Sequence, residues 1–146
     1  MKCYFVVAFA SLLALATIVR SDEGKKDAER LEGTWIPESA ELAGKKFPDE
    51  TRKAMKLVLK GDAYTVTIGT NSDKGKIKFD PSQNPKTMDI IGREGPNKDK
   101  TFLAIYELTK DTLTICYDLS GKTRPTEFKT KPDTKLFLVT YKREKS

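Results

Sequence analysis

The chain has 146 residues, 38% hydrophobic and 33% charged, with 27 basic against 21 acidic side chains, two cysteines and no histidine. That length fits one domain, and the apolar share is too high for a disordered chain. Without histidine there is no Ser-His-Asp or Cys-His nucleophilic arrangement, no His-bearing zinc site and no imidazole general base.

The first element is a leader. Met1-Lys2 is a short positive start, and Tyr4–Ile18 is an apolar run too short to span a bilayer as a helix. A charged start, an apolar stretch and then small residues predict a secretory signal peptide over 1–21. Cleavage is expected after Ser21, where a polar run begins, or alternatively after Ala16 at Ala14-Leu15-Ala16. Removing 21 residues leaves a 125-residue domain, 22–146. Lys2, Arg20 and Cys3 go with the leader, so the net charge falls from +6 to +4 and Cys116 is the one thiol left. The expected location is outside the cytoplasm: periplasm, cell surface or extracellular space. No stable membrane insertion is expected once the leader is gone.

Asp22–Glu32 is polar except for Ala28 and Leu31, and reads as a short helix or an extended lead-in. From Gly33 onward, period-two patterns alternate with turn residues. Strands are predicted over Thr34–Leu42, Leu57–Leu59, Ala63–Ile68, Lys76–Phe79, Thr87–Ile91, Thr101–Leu108, Thr112–Leu119 and Lys135–Tyr141. A helical turn is expected over Asp49–Met55. Breaks are expected at 43–48, Asn71–Gly75, Pro81–Pro85 and Gly92–Lys100, and the longest loop spans Ser120–Asp133. Cys116 falls inside a strand, which favours a buried, inert thiol. Connections this short make sequential strands antiparallel neighbours. The expected fold is all-β, an eight-stranded antiparallel up-and-down barrel, whose closure removes exposed edges. A two-sheet sandwich satisfies the same periodicity.

Gly33-Thr34-Trp35 ahead of the first strand, followed by eight short strands, resembles the lipocalin and fatty-acid-binding superfamily of barrels. The resemblance implies that Trp35 seals one barrel end and that Lys142 or Arg143 packs on it. Leu31–Trp35, Leu57–Val66, Lys122–Phe128, Ile105–Leu108 and Asp111–Leu113 are similar to a lipocalin-like domain family expanded in planctomycete bacteria. Its members are mostly small exported proteins of undetermined function, so the resemblance bears on fold and export and implies no catalytic residues.

The remaining chemistry is sparse. Asp80, Asp89, Asp111 and Asp118 stand at strand ends or beside turns, where aspartate bonds local backbone. Asp80–Asn84 superficially spaces oxygen ligands like a calcium loop, but Pro85 and Ile91 occupy the positions that need glycine and glutamate. No metal, cofactor or enzymatic activity is therefore expected. The basic residues are interleaved with acidic ones, as in Lys98-Asp99-Lys100, which argues against nucleic acid as a partner. The remaining candidate is the barrel interior, with Tyr64, Val66, Ile68, Phe79, Tyr106, Ile115 and Tyr117 as the residues expected to face a ligand. Ile77, Leu113, Phe102 and Phe137 are further candidates. An eight-stranded barrel is just wide enough either to be filled by its own side chains or to hold one small molecule. A cavity of about 300 Å³ or more distinguishes the two. Arg124 and Glu127 are expected to pair across a Pro-containing loop, as a clasp over the barrel end or as an anion contact at the cavity mouth. The function expected is non-catalytic binding of a small apolar or amphipathic ligand; the alternative is a protein-interaction scaffold built on a filled barrel.

Overall fold

Period-two alternation and tight turns set most of the architecture. The computed structural model describes residues 26–145. The expected leader, 1–21, and its cleavage points lie outside these residues. Helix α1 covers 26–31. Strands β1 (Gly33–Leu42) and β2 (Lys45–Lys46) precede helix α2 (Asp49–Lys53). Then follow β3 (Met55–Lys60), β4 (Ala63–Ile68), β5 (Asn71–Asp80), β6 (Lys86–Glu94), β7 (Thr101–Leu108), β8 (Thr112–Asp118) and β9 (Leu136–Arg143).

All pairings are antiparallel, and β1 pairs with both β3 and β9, so β1 and β3–β9 close into an eight-stranded up-and-down barrel. The β1–β9 ladder rules out the sandwich. Strand β2 only extends the end of β1 as a hairpin, turned by Ala43 and Gly44, both with positive φ. The β1–β3 ladder is short, three pairs from Gly33 to Trp35. Beyond it β1 is an edge, which is why Pro37 is tolerated there. Helix α2 covers this gap, and Arg52 Nη1 donates to the Pro37 carbonyl at 3.0 Å.

Three sequence expectations need correction. Asn71–Gly75 is not a loop but the start of β5, joined to β4 by the two-residue turn Gly69-Thr70. Its alternation is invisible because at the barrel rim most of these side chains are exposed. Gly92 likewise continues β6 to Glu94. Met55 opens β3 instead of closing the helical turn.

One end of the barrel is plugged. Asp27 and Leu31, four residues apart, lie on the same face of α1, and both are buried. Trp35 is fully buried, and its indole N–H donates to the Leu31 carbonyl at 2.9 Å. The Arg143 guanidinium lies 4.2 Å from the Trp35 ring centroid, so the cation that the resemblance left between two residues is Arg143. Arg143 also donates to the carbonyls of Glu32 (2.6 Å) and Arg30, satisfying the C-terminal end of α1. This explains Gly33: its φ is +134°, and a Cβ there would stand 2.8 Å from Arg143 Nη1.

The long connection 119–135 straps the outer wall. From β8 it reaches back to β6 and β7, where Arg124 docks, then crosses to β1. There the Thr130 hydroxyl donates to the Glu41 carboxylate and accepts from the Gly44 N–H at 3.0 Å. Beneath it Ile105 and Cys116, paired across β7 and β8, turn away from the barrel interior yet are only 1% and 0% exposed. The free Cys116 thiol faces the Lys129 carbonyl at 3.9 Å, and burial pushes its pKa up. Both faces of β7 and β9 are apolar for this reason: one meets the barrel interior, the other the strap.

Candidate functional site

The end opposite the plug opens into a cavity of about 320 Å³. Its floor and walls come from alternate residues of successive strands: Leu57 and Leu59 on β3, Tyr64 and Val66 on β4, Ile77 on β5, Met88 and Ile90 on β6. Strand β8 adds Ile115 and Tyr117, and β9 adds Phe137 and Tyr141. The register places these side chains inward because the period is two and the strands are paired in phase.

The mouth carries an aromatic row. Phe47 packs on Phe137 (5.4 Å between ring centroids), Phe137 on Tyr117 (5.3 Å, near edge-on), and Tyr117 on Phe102 (5.8 Å). Such tilted and edge-on contacts suit the ring quadrupoles and stiffen the opening. On the facing rim Asp73 ties the β6–β7 loop to β5, accepting from the backbone N–H (3.2 Å) and the side-chain amide (3.0 Å) of Asn97. It also accepts from the Tyr64 hydroxyl at 3.2 Å. Close approach here needs Gly75: a Cβ on it would lie 2.0 Å from the Ile91 carbonyl oxygen and 2.7 Å from the Tyr64 ring.

Two polar groups stand out in this apolar space. The Tyr117 and Tyr141 side chains line the cavity, and neither hydroxyl has a hydrogen-bond partner among the described residues. No fully buried side-chain oxygen or nitrogen is left unpaired there, so each hydroxyl opens onto the cavity space. Burial first, and then the nearby Tyr141, Tyr64 and Asp73, push the Tyr117 pKa well above the usual phenol value. Burial alone does the same for Tyr141. Both therefore remain neutral hydrogen-bonding groups.

Of the seven interior residues expected from the sequence, Tyr64, Val66, Ile68, Ile115 and Tyr117 line the cavity. Phe79 and Tyr106 do not line it. They pack against each other edge-on at 6.4 Å towards the plugged end, where the Tyr106 hydroxyl donates to Asp27 at 2.7 Å. Ile68, at the rim, is 46% exposed. Sequence reasoning missed Tyr141, Phe47, Met88 and Asp73. Phe47 fell in a segment read as a break, and Tyr141 lies in a run apolar on both faces.

Arg124 is neither at the mouth nor paired with Glu127. Its Nη2 meets Asp89 Oδ1 at 2.6 Å, and its Nη1 donates to the carbonyls of Ala104 (2.7 Å) and Met88 (3.2 Å), all on the outer wall. Glu127 is exposed. Asp89, midway along β6, is thus a clasp partner and not a turn residue. Asp80 and Asp118 do perform turn chemistry. Asp80 accepts from the Ser82 N–H and hydroxyl (3.0 and 2.6 Å), and hydrogen bonds from Ser120 hold the Asp118 carboxyl below its usual range.

The clasp makes a prediction. Arg124→Ala removes charge-assisted hydrogen bonds from a partly exposed site and is expected to cost about 1–3 kcal/mol. Because the strap covers Cys116, thiol labelling through local opening should accelerate by roughly tenfold or more. Unchanged stability with unchanged labelling would contradict the clasp.

Set against family models, curated proteins and solved structures, the chain matches none of them.

Proposed function

We propose that this chain is an exported, non-catalytic binding protein that holds one small apolar or amphipathic molecule inside its barrel. The observation that carries this reading is the cavity of about 320 Å³, open at one end and lined mainly by aliphatic and aromatic side chains. That volume lies within the range of small-molecule sites. An open interior of this size supports ligand binding over the alternative of a filled barrel that acts as a scaffold for its loops. Export is supported by the charged start and the apolar run Tyr4–Ile18. The Gly33, Trp35 and Arg143 arrangement supports the lipocalin-like reading.

Native mass spectrometry of the protein purified from its own host tests the proposal. The expected spectrum shows a second species, heavier by one small molecule, that collapses to the bare chain on collisional activation. The bare mass alone, with no thermal stabilisation across a panel of lipids and small metabolites, would contradict it.

A further inference from the structure

We infer, resting on the binding reading above, that the barrel selects an uncharged molecule bearing a hydrogen-bonding group, and that the hydroxyls of Tyr117 and Tyr141 receive that group. The lining is informative for its charge: among the described residues, Asp73 is its one charged side chain, and no lysine or arginine lines the cavity. An anionic ligand would meet no cation inside and would pass the Asp73 carboxylate on its way in. Transferring an unpaired carboxylate into such a space is strongly unfavourable. The acid must therefore lose its charge on entry or leave its head group outside.

The polar features that are present point the same way. Asp73 is held by its three donors, two from Asn97 and one from Tyr64. Tyr64 is thereby occupied as well. Asn71 and Ser72 are exposed at the rim; deeper in the walls the polar groups among the described residues are Tyr117 and Tyr141, the latter on a residue only 5% exposed. A phenol can donate and accept at once, so an alcohol, ketone or amide satisfies it equally. An unpartnered hydroxyl in a largely apolar pocket is a specificity element, because a ligand without a matching group leaves it unpaired. At roughly 30 Å³ per water-sized group, the cavity holds about ten heavy atoms, which suits a short aliphatic chain or a single substituted ring.

Calorimetric titration of the purified protein with benzene, 1-octanol and octanoate at pH 8 separates the possibilities. The expected result is that 1-octanol binds at least tenfold more tightly than octanoate, and that octanoate gains affinity as the pH falls towards its own pKa. In the double variant Tyr117→Phe/Tyr141→Phe, 1-octanol should lose roughly three- to thirtyfold in affinity, as for one or two hydrogen bonds, while benzene binding stays unchanged. Equal binding of octanoate and 1-octanol would overturn the charge selectivity. Undiminished 1-octanol affinity in the double variant, with benzene still bound, would overturn the role of the hydroxyls. If none of the three probes binds the wild-type protein, the binding reading itself fails and the selectivity falls with it.

Discussion

Replacing Asp27 by alanine is expected to destabilise the barrel by about 3 kcal/mol. Asp27 is the buried acidic residue of the plug, its side chain 3% exposed. It accepts from the Tyr106 hydroxyl at 2.7 Å and from Lys86 Nζ at 2.9 Å, with Arg30 3.7 Å away. Removing it leaves the Tyr106 hydroxyl buried without a partner, which costs about 1–3 kcal/mol. Breaking a buried ion pair costs about 3–5 kcal/mol, but Lys86 is one-third exposed and turns to water, so the lower end applies. For a domain of this size the melting temperature should fall by roughly 10 °C. Asp27→Asn keeps an acceptor for Tyr106 and should lose about half as much. A change within ~0.5 kcal/mol for the alanine variant, of the size ordinary surface substitutions give, would mean that α1 does not plug the barrel.

The second large effect is alkaline. Tyr64, Tyr106, Tyr117 and Tyr141 all have pKa values raised above the phenol value of 10.0. Burial is the first cause for each. Asp73 adds to it at Tyr64, and the hydrogen bond to Asp27 adds to it at Tyr106. The sign follows from proton counting: above about pH 10 the unfolded chain releases phenol protons that the folded chain retains. Stability is then independent of these groups below pH 10 and falls as pH rises past it. Each tyrosine contributes a slope of about 1.4 kcal/mol per pH unit, so four together approach ~5 kcal/mol per unit. A domain stable by ~5–15 kcal/mol should therefore unfold within a few pH units above 10. Tyrosinate absorbance should appear together with the loss of β-sheet circular dichroism, in one transition. Gradual ionisation near pH 10 with the fold intact would contradict the burial of these side chains.

The strand pattern was legible wherever one face of a strand meets the interior and the other meets water. Ala63–Ile68 is found with the bounds expected; the bounds of Thr101–Leu108 also match, but its strap-covered outer face hid which side points inward. Legibility failed at the rim, where Asn71–Lys74 bury little and carry no apolar alternation, and in the segment containing Phe47. It failed differently in β9, whose outer face is covered by the strap, so that Leu136–Tyr141 reads as apolar throughout and Tyr141 cannot be assigned a direction. Partners distant in sequence were out of reach altogether. Arg124 finds Asp89 35 positions away, where a nearby Glu127 was the obvious choice. Asp27, in a polar lead-in, reads as a solvated charge; its one sequence signal is its spacing of four from Leu31 on a helical face. The cavity follows from the combined volumes of inward side chains, which no local pattern encodes.

Above the Trp35 plug the barrel is hollow and lined mainly by apolar side chains. Diffraction from crystals held under xenon pressure tests this most directly, since xenon enters dry apolar cavities. The predicted result is a xenon peak among Leu57, Ile77, Ile115 and Tyr117. A continuous packed interior with no xenon between these residues would contradict it.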